Sequence, residues 1–301
     1  MREHSYGPPI ITMISAIVLV VYLIMFSSPT EDKAKTAADI ITEIAPDDKD
    51  KLTEADKTLY SEDAAIIELG YNVAYDEPSY SFGGGILTIR KGGCYVLTGL
   101  ASQIIVDAGE ENPVHLVLHN AAISSQDGPA IYAPSCSKLI ITANEESLNT
   151  LSDAAVYKVY NGIAKGCIHS RSDITINGSG QLYIQSNKLA GIYSKDDVKI
   201  VSGDVEINSI GQGIYGEDKV IIYDGNVTIT SALEGIVSTR TGDAEKGCIK
   251  LKGGTLNINT PDVAIRGVSE IAIGSCDVNI ESASMDYLVS GGDVRIIDDP
   301  Q

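Results

Sequence analysis

The sequence predicts an all-β fold, a right-handed parallel β-helix with three short strands in each coil of about 22 residues. The first observation behind this prediction is an internal repeat. Its clearest copies are AGIYSKDDVKIVSGDVEINS from Ala190 and QGIYGEDKVIIYDGNVTITS from Gln212. The second is that each copy holds three short segments of alternating apolar and polar residues, separated by Gly, Asp or Asn. This alternation is typical of strands joined by tight turns, and the segments are too short for amphipathic helices.

Two series of isoleucines set the expected register of the coils. Because coils of a β-helix stack about 4.8 Å apart, equivalent residues form internal ladders. The first series is Ile168, Ile192, Ile214, Ile236 and Ile265, followed by Leu288, and the second is Ile184, Ile207, Ile229, Ile258 and Ile280. Two insertions, at 151–165 and 241–247, interrupt the repeat. A β-propeller is excluded because each blade needs roughly 40 residues or more.

The N-terminal residues 1–28 are predicted to form a transmembrane signal anchor. Residues 10–26 read IITMISAIVLVVYLIMF, an apolar run at the short end of a membrane span. An uncleaved anchor is favoured over a cleaved signal peptide because no small-x-small cleavage site follows. Residues 29–63 are acidic and are predicted to be a linker or stalk, and residues 64–301 to be the β-helix. We therefore expect a single-pass cell-membrane protein with an extracytoplasmic domain.

The formal net charge of −19 argues against nucleic acid as a partner, because two polyanions repel each other. The charge is compatible with a cation-binding surface, with neutral polymers as partners, or with a role in solubility alone. The five cysteines form no C-x-x-C pair and no zinc spacing, and we interpret them mainly as small buried apolar residues.

Aspartates at matching corners of successive coils are the candidate metal ligands. Asp196, Asp197 and Asp218 share one corner, with Asp173 in line with them. Calcium takes six to eight oxygen ligands, which stacked carboxylates can supply without a local motif. The sequence therefore predicts calcium as a cofactor at this corner. The alternative is solvated turn aspartates, neutralised by the lysines beside them.

In four successive coils an aromatic residue directly follows an isoleucine of the first series or its upstream counterpart Ile131. These aromatic residues are Tyr132, His169, Tyr193 and Tyr215. Stacked in register, these rings would line one edge of the solenoid, and sugar rings could pack on their apolar faces. We predict carbohydrate binding by this column. The alternative is a ladder whose rings only stabilise the corner, contributing about 0.2–1 kcal/mol per pair.

The pattern I-x-S-K-D-D-[LV]-x-I followed by x-G-x-[VL]-x-I resembles the bacterial carbohydrate-binding β-helix domain. The segment IYSKDDVKI at 192–200 carries the first part in full, and the similarity covers roughly residues 64–298. The resemblance implies a fold similar to polysaccharide lyases, calcium, and binding of acidic or cellulosic plant polysaccharide. The family often has aspartate where this chain has Ala190, Gln212 and Glu234. Ala190 and Gln212 lack the carboxylate, whereas Glu234 can still offer oxygens.

Together these features predict a non-catalytic, cell-surface polysaccharide-binding module that is assisted by calcium. One alternative is a polysaccharide lyase or hydrolase on the same scaffold, for which Lys195, Arg171 and Arg266 are the only candidate bases near the motif corners. Another is a structural spacer or adhesin. No residue is assigned as catalytic, since fold alone does not imply function.

Overall fold

The computed structural model describes residues 50–70, 72–160, 162–282, 288–290 and 293–296. The predicted signal anchor at 1–28 lies outside these residues. In the described part of the chain, no helix is long and apolar enough to cross a membrane.

A helical turn and seven strands come first along the described chain. They are α1 (Glu54–Lys57), β1 (Ala65–Leu69), β2 (Tyr75–Asp76), β3 (Tyr80–Gly83), β4 (Ile86–Ile89), β5 (Gly93–Ala101), β6 (Gln103–Asp107) and β7 (Val114–Ser124). Strands β2, β3 and β4 pair antiparallel, whereas β1 pairs in parallel with β5, and β5 with β7. The first coils of the repeat are therefore preceded by a small antiparallel meander.

From β8 onward, each coil contributes one strand to each of three parallel stacks. The first stack is β9 (Lys138–Ala143), β12 (Asp173–Gly178), β15 (Asp197–Ile200), β18 (Lys219–Ile222), β21 (Cys248–Leu251), β24 (Glu270–Ile273) and β27 (Asp293–Ile296). The second stack is β10 (Leu148–Ser152), β13 (Gln181–Ser186), β16 (Asp204–Ser209), β19 (Asn226–Ser231), β22 (Thr255–Thr260) and β25 (Asp277–Ser282). The third stack is β8 (Ile131–Ser135), β11 (Gly166–Ser170), β14 (Ala190–Ser194), β17 (Ile214–Gly216), β20 (Ile236–Ser238), β23 (Ile265–Gly267) and β26 (Leu288–Ser290).

The first two stacks join at the long strand β7. Its first half pairs with β9 and its last three residues pair with β10, so both stacks belong to one sheet of 16 strands. The third stack continues from β2, β3, β4 and β6 in a second sheet of 11 strands. The all-β, solenoid-like architecture predicted from the repeat is confirmed, and its right-handed sense stays a prediction.

The interior of the solenoid consists of the predicted isoleucine ladders. Ile192 is paired with Ile168 before it and with Ile214 after it, and Ile207 lies between Ile184 and Ile229 in the same way. All six side chains have no measurable exposure. The alternation within each short strand therefore places one residue in the core and the next on the outer surface. The cysteines of the described residues are free thiols.

Residues 50–60, which belong to the segment predicted as a linker, lie against the outer face of the first stack; we call them the strap. The turn α1 begins with a capping box, in which the Thr53 hydroxyl accepts from the Asp56 amide and the Asp56 carboxylate accepts from the Thr53 amide at 2.8 Å. Leu52 is buried against Val201, Ile221 and Tyr223 of the solenoid.

Candidate functional site

The four aromatic residues singled out in the sequence form one continuous column on the third stack. Register pairs Tyr132 with His169, His169 with Tyr193, and Tyr193 with Tyr215. The ring centroids of these successive pairs are 5.4, 4.9 and 5.3 Å apart. Because the first two pairs are stacked face to face, most ring faces of the column contact each other.

Part of the remaining ring surface is covered by Tyr160 and Lys165 of the first insertion. The Tyr160 ring lies 4.9 Å from that of Tyr132, and the Lys165 ammonium lies 4.7 Å from the Tyr193 centroid. His169 and Tyr193 are only 4% and 3% exposed. Burial lowers the pKa of His169 to about 4, so its ring is neutral at physiological pH. The column thus offers little free ring face for a sugar to stack on.

The predicted calcium residues divide into two groups. Asp173, Asp196 and Asp197 lie close together where β12 and β15 begin, and the Asp197 amide donates to the Asp173 carboxylate at 3.1 Å. Burial and the charge of Asp173 raise the pKa of Asp197 to about 6. Burial and the charges of Asp173 and Asp218 raise the pKa of Asp196 as well. These carboxylates therefore repel one another.

Asp218 forms ion pairs with Lys246 of the second insertion and with Arg240, which directly precedes that insertion. Its two carboxylate oxygens accept from Arg240 Nε and Lys246 Nζ, each at 2.6 Å. Burial opposes ionisation, but the hydrogen bonds from Lys246 and Arg240 outweigh it and lower the pKa of Asp218. Among residues 50–282, apart from 71 and 161, no group of three or more His, Cys, Asp or Glu residues is arranged to hold a metal ion. The four aspartates, as arranged, do not fit a calcium site, and calcium assistance stays a prediction.

Replacing Asp197 with asparagine is expected to raise the free energy of unfolding by about 1–3 kcal/mol at pH 7. A carboxyl group with a raised pKa is penalised in the folded state when it is ionised, and the isosteric amide removes that penalty. In the wild type the penalty disappears as the pH falls from about 6 to 4, because Asp197 takes up a proton. The difference between variant and wild type should therefore vanish near pH 4, as measured by urea denaturation.

Asp107→Asn, which removes an exposed carboxylate from β6, is the matched control and should change stability little. If Asp197→Asn lowered stability at pH 7, the ionised carboxylate would have a favourable cationic partner, which contradicts the repulsion described above.

Of the candidate bases of the lyase alternative, Lys195 acts on the Asp196 carboxylate through its charge, whereas Arg266 is paired with a different acid. Arg266 is held by Glu234, with its Nη2 donating at 3.0 Å and its Nε making a second, shorter bond. Gln212 donates to the same carboxylate at 3.2 Å. Glu234 and Gln212, two of the departures from the family's aspartate column, therefore belong to an ion-pair network.

The outer face of the second stack was missed by the sequence analysis. Six strands present three outward residues each, in rows that continue from coil to coil. The rows are Leu148, Gln181, Asp204, Asn226, Thr255 and Asp277; Thr150, Tyr183, Glu206, Thr228, Asn257 and Asn279; and Ser152, Gln185, Asn208, Thr230, Asn259 and Glu281. These six strands carry no outward lysine, arginine or histidine.

Amides and hydroxyls of this face bond to each other along the solenoid axis. Asn279 Nδ2 donates to Asn257 Oδ1 at 3.1 Å, and Asn208 Nδ2 donates to the Tyr183 hydroxyl at 3.0 Å. A concave patch of about 430 Å³ lies over the last three coils of the face. Its outward lining residues are Thr228, Thr230, Asn257, Asn259, Asn279 and Glu281. A signal was present in the sequence. In each strand of the second stack, the residues that alternate with the buried ones nearly all bear amides, hydroxyls or carboxylates.

Three comparisons place the chain among known proteins. A family model described as a carbohydrate-binding domain-containing protein matches residues 83–293. A carbohydrate-binding domain-containing protein of Acetivibrio thermocellus is 39% identical over 208 residues, which cover 67% of this chain and 73% of the relative. A solved structure, a gadolinium derivative of the polysaccharide lyase-like protein from C. thermocellum, aligns with a TM-score of 0.72 at 30% identity. That alignment covers 77% of this chain and 95% of the other.

The matched residues include the aromatic column, the aspartates and the outer face of the second stack. The resemblance identified from the repeat motif is confirmed by the family match over most of the solenoid. The chain belongs to the carbohydrate-binding domain family.

Proposed function

We propose that this protein is a non-catalytic module that binds polysaccharide on the outer face of the second stack. The observation that carries the proposal is the field of amides, hydroxyls and carboxylates that covers this face from β13 to β25. Side chains of these types donate to and accept from sugar hydroxyls. In addition, the coil spacing of about 4.8 Å repeats the donors and acceptors at intervals close to one sugar unit of an extended glycan.

The charge of this face favours a neutral, cellulosic glycan over an acidic one. Asp204, Glu206, Asp277 and Glu281 bear carboxylates, and no outward cation of the six strands offsets them. A polyuronate would therefore be repelled here, whereas sugar hydroxyls can donate to the same carboxylates. The proposal uses no calcium. It includes display outside the cell membrane, which rests on the N-terminal apolar run alone.

Replacing Asn257 and Asn279 together with alanine is expected to weaken binding to a soluble neutral glucan, such as hydroxyethyl cellulose, by about tenfold. Two amides in the concave patch are lost, and each hydrogen bond to a sugar hydroxyl contributes about 0.5–1.5 kcal/mol. Affinity gel electrophoresis measures the dissociation constant directly. Both side chains lie on the outer surface, so the fold should be retained, and circular dichroism would verify this.

The exposed amide Asn112, in the turn before β7, supplies the matched control, and Asn112→Ala should bind as the wild type does. The pair Tyr132→Ala and Tyr215→Ala tests the aromatic column, whose two ends are its more exposed members. If those variants lost binding while the double asparagine variant kept it, the binding face would be the column and not the second stack.

The lyase alternative is tested on polygalacturonate by the ultraviolet absorbance of unsaturated products. The expected result is no release of such products by the wild-type protein. Release by the wild-type protein would replace the binding proposal by a catalytic one, and its loss in Arg266→Ala would assign this arginine to the reaction.

A further inference from the structure

The outer face of the first stack carries lysines in two adjacent rows of the strand register, unlike the face of the second stack. Lys138 lies on β9, Lys199 on β15, Lys219 on β18 and Lys250 on β21, and Lys252 follows directly after β21. In a chain with a net charge of −19, this is a local concentration of positive charge. The lysines are spread along the solenoid axis, so a linear partner could reach several of them at once.

The strap places a carboxylate beside each of two lysine pairs, the pair Lys138 and Lys199 and the pair Lys219 and Lys250. Asp56 has no measurable exposure and accepts from Lys138 Nζ at 2.8 Å, with Lys199 Nζ 3.8 Å away. Asp50 accepts from Lys219 Nζ at 2.7 Å and, at a shorter distance, from Lys250. The two acids thus bridge five successive rungs of the first stack, from β9 to β21. The face already accommodates a chain that bears carboxylates at intervals along the axis.

The strap is fastened largely through side chains. The Asn177 amide donates to the carbonyl oxygens of Asp56 and Thr58 at 2.9 and 3.1 Å, and the Tyr223 hydroxyl donates to that of Asp50. Strap residues Lys51, Thr53 and Glu54 are exposed, and Leu52 is its one buried apolar side chain. Because no strand of the solenoid has to open, the strap could leave as a unit.

We propose that the lysine face of the first stack binds a linear anionic glycan and that the strap is its intramolecular competitor. The inference rests on the proposed function only in assuming a carbohydrate ligand, because it concerns a different face and a different charge class. Carboxylate or phosphate groups along the glycan replace Asp50 and Asp56 between the lysine pairs. Asp173 and Asp197 lie on the same rungs and limit the positive charge, so several anionic groups of one chain are needed for binding.

On this proposal, the strap keeps the lysine face closed to ligand in the intact chain. A ligand must compete with two carboxylates that are tethered beside their lysines and therefore present at high effective concentration. Burial raises the pKa of Asp56, but hydrogen bonds from Lys138 and Thr175 and the charge of Lys199 outweigh it and lower the pKa to about 2. This acid therefore stays ionised at physiological pH. Release consequently requires competition by a polyanion or removal of the charges.

The test compares the full chain with the double variant Asp50→Asn and Asp56→Asn. Retention on polygalacturonate, and separately on a phosphorylated glucan, is measured by affinity electrophoresis at fixed ionic strength. We expect the double variant to bind at least tenfold more tightly than the wild type and to lose the gain when Lys199→Gln and Lys250→Gln are added. The two gels distinguish carboxylate from phosphate as the preferred group.

Trypsin cleavage after Lys51 and Lys57 reports the position of the strap independently. In the wild type, the polyanion should accelerate cleavage at these two sites and hydroxyethyl cellulose should not. The control variant Asp107→Asn with Glu145→Gln removes the same charge from other exposed positions and should show neither effect. If the strap of the double variant became sensitive to trypsin without a gain in polyanion binding, the lysines would serve only to hold the strap in place. That outcome would overturn the inference. Failure of the second-stack proposal would appear separately, in the neutral-glycan gels.

Discussion

Substituting alanine for Gly178 is expected to lower the free energy of unfolding by about 3 kcal/mol or more. Gly178 ends β12 with a φ of 107°, in the left-handed region that side chains disfavour. A Cβ atom at this position would lie 2.1 Å from the carbonyl oxygen of Ala143 on the neighbouring rung. Because that oxygen belongs to the backbone of β9, relief requires a shift of the rung itself. Urea denaturation followed by circular dichroism measures the loss.

Gly109→Ala is the matched control for this substitution. Gly109 also has a positive φ, of 80°, but no atom lies within 4 Å of its added Cβ. Only the conformational cost remains there, about 1 kcal/mol. Equal losses in the two variants would contradict the explanation by close approach of the backbones.

Replacing Ile229 with alanine is expected to cost about 2–5 kcal/mol, the range for deleting a buried aliphatic side chain. Ile229 has no measurable exposure and lies between Ile207 and Ile258 in the second internal ladder. Each coil of a solenoid contacts mainly its neighbours, so a cavity at this position weakens both interfaces of one coil. The midpoint and slope of urea denaturation report the loss and any breakdown of cooperativity.

Ile210→Ala removes the same atoms from a side chain that is 52% exposed. It should change stability by less than about 0.5 kcal/mol. A comparable effect of both substitutions would mean that the ladder does not carry the stability of the solenoid.

The architecture could be predicted because the repeat fixes it locally. The spacing of Ile168, Ile192 and Ile214 sets the register of the third stack, and the short alternating segments set the faces of all three stacks. The column of Tyr132, His169, Tyr193 and Tyr215 followed from the same register. Whether its ring faces are open did not follow, because Tyr160 and Lys165 belong to an insertion outside the repeat.

The corner of aspartates illustrates the same limit. Asp196, Asp197 and Asp218 were expected at one corner, with Asp173 in line. Asp173, Asp196 and Asp197 lie close together because the starts of β12 and β15 are neighbours. The partners of Asp218 come from 22 and 28 positions further along the chain, in and beside an insertion. No periodic pattern predicts where such a segment folds back. The polar character of the second-stack face, by contrast, could have been predicted from the outward residues that alternate with buried ones in its strands.

The strap was the hardest feature to predict. Residues 50–60 are polar and resemble a linker in composition, and Lys219 lies 169 positions beyond its partner Asp50. Their docking depends on charges that become neighbours only after the coils have stacked. The sequence shows the acids and the lysines separately, and the structure brings them together.

A solenoid behaves as a one-dimensional array in which each unit is coupled only to the next, so its ends can fray coil by coil. The strap contacts rungs β9, β12, β15, β18 and β21 at once and thereby couples units that are not adjacent. Opening any one of these coils breaks an attachment that also serves the others. We therefore expect the five coils to open as one cooperative block, so that their amide protons exchange with a common free energy in a hydrogen-exchange measurement.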